Sequence, residues 1–372
     1  MDSSSKQRRN RYGFTIVELL VAISILALMV TLLADVLVRT QDTVSKANTQ
    51  VTEFQEARAA LDSMSYSLSQ ASLDAYWAFK RDANGNATSY ERSSDHHFIL
   101  AASKDLVGTK GEEHGQAVFF QAPLGHAGSL GGAAGNGGAT SQYERLHDLM
   151  NCWGYYVKYD SDLAERPNFM QQNTNVNPER KRFRLMQYAQ PAEKSILYST
   201  TLKINTQKAR ADAIKWFQDD LTEHSRPVAE NVLAVVLVPF SANVTVTNAG
   251  SGYSDTKIEP DSKYGYDSRD LQWNGVNTIS RSRQHQLPPM VGITLIVADE
   301  KEYDRFVNLN GGDADAAAEK VRGVLKGKFT DFAKNADDLK AVEAGLGGLK
   351  LHYKLLTTTV SLRASKWITE LQ

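Results

Sequence analysis

From residue 14 to residue 34 the chain runs 21 positions with Glu18 as the only charged side chain. A helix of that length rises about 30 Å, enough to cross the hydrocarbon core of a bilayer. Beyond it, small or apolar residues recur every three or four positions: Val44, Ala47, Val51, Phe54, Ala57, Leu61, Met64, Leu68, Ala71 and Ala75. Gln41, Asp42, Lys46, Glu53, Glu56, Arg58 and Asp62 occupy the other faces. This spacing predicts a helix with one buried stripe. No proline precedes Pro123, so nothing kinks the backbone, and a single helix over 14–75 is the simplest expectation. The stripe is mixed in size and often small, which suits packing on a sheet better than a coiled-coil seam.

After residue 76 the pattern changes to short apolar runs separated by turn-rich stretches, the pattern of an antiparallel sheet. Candidate strands are 97–103, 117–122, 152–159, 182–188, 197–203, 232–239, 290–298 and 351–362. In Phe183-Arg184-Leu185-Met186-Gln187-Tyr188 one face is apolar and the other largely polar, as in a strand with one face on a core and one in water. The runs 232–238 and 291–297 are apolar on both faces, with Thr294 their only polar side chain, and should lie deepest. Two long loops are expected. The Gly/Ala-rich stretch 125–140 reads as a surface excursion, and 248–277, with Tyr253, Tyr264 and Tyr266, reads as either an inert surface loop or a contact surface for partners. Helical inserts are expected at 212–221 and at 314–346, the second punctuated by Gly323 and Gly327. The fold class is therefore α+β: a long amino-terminal helix against an antiparallel sheet with long loops and a helical insert. Four segments follow, namely a basic leader (1–13), a transmembrane helix (14–34), its continuation on the head (35–75) and a β-rich head (76–372).

Charge sharpens the reading of the first segment. Lys6, Arg8, Arg9 and Arg11 precede the apolar run against Asp2 alone, although the whole chain is close to neutral at -1. Basic residues on one flank of a span stay in the cytoplasm, which places everything after residue 34 on the far side. An ordinary secretory signal has an apolar region of only about 7–15 residues. A plain anchor would fit the length, but it has no use for Glu18, whose carboxylate costs roughly 2.5–3.5 kcal/mol inside a span. Cleavage between Gly13 and Phe14 would offset that cost. It creates an ammonium group one helical turn from Glu18, able to pair with the carboxylate of its own or a neighbouring helix.

The run Gly13-Phe14-Thr15-Ile16-Val17-Glu18-Leu19-Leu20-Val21-Ala22 closely resembles the class III signal of type IV prepilins and type II secretion pseudopilins. The resemblance implies that a prepilin peptidase cuts between Gly13 and Phe14, that Phe14 becomes N-methylated, and that Glu18 is the carboxylate guiding assembly with sibling pilins or pseudopilins through the amino-terminal helix. It also implies an inner-membrane, single-pass protein with a pilin-like fold and a periplasmic head. The absence of a proline late in the span leans toward the pseudopilin branch. The order of long helix, sheet, helical piece and final strand resembles the larger minor pseudopilins, particularly the J type. The phrases 288–297 and 357–363 are similar to both these and the prepilin-cassette protein C of verrucomicrobia.

Chemistry-bearing patterns are sparse. Eight histidines show no zinc spacing, no nucleophile elbow or phosphate-binding loop is present, and nothing in the charge points to nucleic acid. A single cysteine, Cys152, excludes an intramolecular disulfide and reads as a core residue beside Trp153. Asp82-Ala83-Asn84-Gly85-Asn86 has alternate oxygen ligands like a calcium loop but lacks the distal glutamate, so Asn84-Gly85 reads as a hairpin turn. Asp313 and Asp315 read as helix caps. No cofactor and no enzymatic activity are expected. The leading expectation is a structural subunit, a minor pseudopilin or minor pilin; the alternative is a membrane-tethered binding or enzymatic domain that uses the signal for sorting. Intact mass and amino-terminal sequencing of membrane-extracted protein should show a chain starting at N-methylated Phe14 only when the peptidase is present. A chain retaining residues 1–13 would reduce the segment to an anchor.

Overall fold

The computed structural model describes residues 16–82, 84–108, 115–126, 148–171, 178–195, 214–246, 254–269 and 285–365. They divide into two compact units, one ending at Glu53 and one starting at Phe54. The first is helix alone, the opening part of α1 (Ile16–Ser69).

The second unit is built mainly of strands. In chain order these are β1 (Tyr76–Arg81), β2 (Ala87–Ser93), β3 (Ile99–Ala102), β4 (Gln116–Pro123), β5 (Met150–Ser161) and β6 (Lys181–Gln190). They are followed by β7 (Ser225–Glu230), β8 (Val232–Val246), β9 (Ser254–Pro260), β10 (Tyr266–Asp267), β11 (Met290–Ala298) and β12 (Tyr353–Ser361). Short helices α2 (Ser103–Leu106), α3 (Asn168–Gln171) and α4 (Lys215–Gln218) interrupt them, and α5 (Glu300–Leu309), α6 (Ala314–Leu325) and α7 (Asn335–Gly348) separate the last two strands. β1 and β2 form a hairpin of their own, a six-stranded sheet runs β10-β3-β4-β5-β6-β7, and a four-stranded sheet runs β12-β11-β8-β9. Every strand pair is antiparallel.

Period-two alternation explains the layers. Val118 and Phe120 of β4 face the stripe of α1 (Ala57, Ala60, Leu61, Met64, Leu68), while Ala117 and Phe119 face Trp216 and Phe217 of α4. In the four-stranded sheet, Val235, Leu237, Ile293 and Leu295 join the α1 side, and Leu233, Ala234, Val236 and Ile296 meet α5, α6 and α7. The register shift between Ile296 and Val297, opposite Ala234 and Val232, leaves Leu233 as an extra residue in β8. This bulge lets Val232 and Val235 share a face despite their odd spacing.

Several expectations are met closely. β11 has the bounds read from the sequence, and the two doubly apolar runs occupy the two interior strands of their sheet. Others are corrected. The helix stops at Ser69, short of residue 75, where the Gln70 and Ala71 N–H groups tighten onto the Ser67 and Leu68 carbonyls and the Ser72 N–H turns away to the Gln121 carbonyl. Ala71 stays fully buried, so the stripe outlasts the helix. The strand expected at 97–103 shrinks to β3, and Ser103 opens α2. The region 248–277 contains β9 and β10, and Tyr264 and Tyr266 are buried, donating to Asn335 Oδ1 and the Gln286 carbonyl. Neither tyrosine can therefore serve a contact loop. Asp313 caps α6 through the Asp315 and Ala316 N–H groups, whereas Asp315 pairs with Lys181 at 2.7 Å. The hairpin strands β1 and β2, the edge strand β7 and helix α5 were not expected. The strand 197–203, Tyr253 and most of 125–140 lie outside the described residues.

Gly154 lies at a close approach inside the core. A Cβ there would overlap the Phe119 ring and lie 2.9 Å from the Val118 carbonyl oxygen. Gly154→Ala should destabilise the head by about 1–3 kcal/mol through overpacking, measurable as a lower urea midpoint with an unchanged slope.

Candidate assembly site

The segment Ile16–Gln41 of α1 is long and apolar enough to cross a membrane, and none of it is buried by the rest of the chain. Its large side chains stand exposed throughout, from Ile16 at 83% to Leu33 at 65%. In water this would be a severe apolar liability; in a bilayer it is solvation. Backbone groups inside a span must be satisfied within the helix, and here the hydroxyls follow suit. Ser24 donates to the Val21 carbonyl and Thr31 to the Leu28 carbonyl, each at 2.8 Å. At the far end Arg39 pairs with Asp35 at 3.0 Å, one turn apart, and closes the apolar stretch with a locally balanced charge pair.

Glu18 lies in the first turn of α1, where the positive end of the helix dipole favours a carboxylate. Gly13 and Phe14 lie outside the described residues. Of the three residues assigned to processing and assembly, only Glu18 is therefore placed, at the amino-terminal end of the exposed helix.

The head offers buried polar clusters that sequence patterns did not reveal. His97 is fully buried; its Nε2 lies 2.7 Å from Asp267 Oδ1, and its Nδ1 accepts from Trp216 Nε1 at 3.2 Å. An indole N–H can only donate, so Nδ1 is the acceptor and Nε2 donates to Asp267. With both nitrogens engaged, the imidazole acts as a pin joining the start of β3, β10 and α4. Its neighbour His96 is buried too, near Asp74, and the two histidines precede β3 without lying on it. Arg182 and Arg184 are buried on β6 and fan out to carboxylates: Arg182 to Asp304 (2.8 Å) and Glu300 (3.1 Å), Arg184 to Glu165 (2.9 Å) and Glu230 (3.4 Å). They tie α5 and β7 to the sheet.

Cys152 is buried, and desolvation pushes its thiol up to about 11, which removes nucleophilic character at neutral pH. The Asp82 carboxylate, weighed as a calcium ligand, accepts from the backbone N–H groups of Asn84 (2.9 Å) and Asn86 (2.8 Å). It serves the turn. Among the described residues no group of three or more His, Cys, Asp or Glu side chains is placed to hold a metal.

Residues 8–34 match the family model described as the prokaryotic N-terminal methylation motif, which is the class III signal of type IV prepilins and pseudopilins. The chain carries a prepilin-type signal, and among the described residues one helix, Ile16–Gln41, is long and apolar enough to anchor it in a membrane. No curated protein and no solved structure matches it.

Burial of titratable groups gives the head a pH signature. Desolvation, reinforced by Arg269, Arg92 and His97, lowers the His285 imidazole from 6.5 to about 4. The folded state holds it neutral while the unfolded chain binds a proton below about pH 6.5. The stabilisation is thus present above that pH and is lost as pH falls toward 4, by about 1.4 kcal/mol per unit. Urea titrations between pH 7 and 4 should show this loss, reaching roughly 3 kcal/mol, and His285→Gln should flatten the slope.

Proposed function

We propose that this protein is a structural subunit, a minor pseudopilin or minor pilin, that enters or tips a filament of the type II secretion or type IV pilus kind. The observation that carries this reading is the pairing of a matched methylation motif with an apolar helix whose lone charge, Glu18, follows Phe14 by four residues. Prepilin peptidase removes residues 1–13 and Phe14 is N-methylated. The new ammonium group and Glu18 then meet between neighbouring helices, offsetting the cost of the carboxylate in the membrane and setting the stagger of one subunit against the next. The head lies in the periplasm and selects sibling subunits or cargo. This role needs no catalytic group. The size of the head supports low copy number, since a bulky domain packs poorly in a tight helical array.

Glu18→Ala separates processing from assembly. Cleavage and methylation should persist by mass spectrometry, while incorporation into sheared or cross-linked filaments should fall about tenfold or more, the equivalent of losing one membrane-buried charge contact. Unchanged incorporation would remove Glu18 from the register role.

A further inference from the structure

The β1–β2 hairpin presents large aromatic side chains that the fold leaves uncovered. Its register sets Phe79 opposite Tyr90 and Trp77 opposite Arg92, so these four share one face. The face is a compact block: Phe79 and Tyr90 have ring centroids 4.7 Å apart, and the Arg92 guanidinium lies 5.8 Å from the Trp77 ring centroid. Trp77 is 59% exposed, Phe79 53% and Tyr90 66%. Among the described residues β1 and β2 pair only with each other. A two-stranded hairpin is marginal in water and gains from cover on one face. The three rings leave roughly 300–400 Å² of apolar surface open, the size of patch that on a soluble head marks an interaction site.

Two features decide what covers it. Arg92 is partly buried, and desolvation lowers the proton affinity of its guanidinium. Among the described residues it has the Trp77 ring and no carboxylate partner. A cation in that position favours an incoming carboxylate with apolar flanks. The second feature is the hairpin tip, which is polar. Asp82, Asn84 and Asn86 occupy it, and hydrogen bonds led by that from the Asn86 backbone hold the Asp82 carboxyl below its usual range. A hairpin entering a lipid surface would lead with its tip, whereas here the aromatic band lies along the flat face behind an ionised tip. Trp, Tyr and Arg together are the composition of protein-interface hot spots.

We infer that the Trp77–Phe79–Tyr90–Arg92 face is a docking surface for a different protein chain, one that presents a carboxylate flanked by apolar side chains. The inference stands apart from the role of Glu18, because the face belongs entirely to the head. It concerns contact with a partner and not membrane anchoring.

The test uses the full-length chain in its native membrane with Tyr90→p-benzoylphenylalanine as a photocross-linker, and peptide mapping of the adduct. The expected product is a heterologous protein linked through a peptide that contains Asp or Glu among apolar residues. Its yield should fall about tenfold or more on adding Arg92→Glu or Trp77→Ala. Trp77 is exposed and Arg92 partly buried on the hairpin, and an unchanged thermal midpoint of each variant would show that the head remains folded. Adducts to lipid, adducts only to a second copy of this chain, or a yield indifferent to Arg92→Glu would each overturn the inference.

Discussion

The head depends on one seam. Between Ala57 and Ala71 the end of α1 and the turn after it give one face to the line where two sheets meet, and Met64 and Leu68 keep no exposed surface there. Small residues at Ala57 and Ala60 bring the helix backbone close to the strands, while Met64 and Leu68 fill the space between them. The chain passes from one sheet to the other at Asn231, a left-handed residue (φ 58°) between β7 and β8. The last strand closes the arrangement: Val360 and Leu362 join the same cluster, and the Arg363 N–H donates to the Ser69 carbonyl, satisfying one of the helix's otherwise unpaired terminal groups. The first and last described elements of the head are thus tied together, a contact that forms only when the intervening sheets are in place.

What the sequence disclosed follows from where each residue's partners lie. β11 was legible to its ends because one of its faces is buried throughout, the other is half-buried to buried, and every position but Thr294 is apolar. The stripe of α1 was legible because its partner surface is continuous. β7 was hidden by Arg226 and Pro227. It is an edge strand, where a proline is tolerated because one side of the ladder is free, and its register slips between Leu185 and Met186 to accommodate it. Tyr264 and Tyr266 looked like loop residues because their neighbours are Gly, Asp and Ser, yet two remote acceptors make their burial affordable. Helix α5 carried a signal that a local reading could have used: Asp299 three residues before Glu302, whose N–H it accepts at 3.0 Å, with Tyr303 and Phe306 on one face. The hairpin turn at Asn84-Gly85 was legible from that dipeptide, while its strands were not among the expected ones.

The charged clusters were beyond reach of any spacing argument. Arg182 and Arg184 alternate with Phe183 on a strand that reads as half solvated, but α5 and the neighbouring strands cover the polar face as well. Their carboxylates come from positions 19 to 122 residues away. The same holds for His97 and Asp267. Such pairs resemble a catalytic acid–base arrangement in composition, and burial decides otherwise. The imidazole is fully enclosed, out of reach of a substrate, and its two bonds fix β10 and α4 on the sheet.

The membrane segment shows the opposite relation between sequence and structure. Several of its polar residues are satisfied within one turn of helix: Ser24 and Thr31 by backbone carbonyls, and Asp35 and Arg39 by each other. Local satisfaction is a short-range property, so composition alone conveys it, and a family model of 27 residues can match there. The head is specified by contacts of long range, which the same short motif cannot encode. A shared signal with a separately evolving head is the expected outcome: the span is constrained by a lipid solvent common to all such chains, and the head only by what it must touch. On the head, the aromatic face of β1 and β2 is an exposed apolar surface of this kind, set apart from both sheets and carrying a cation with an aromatic ring for its partner.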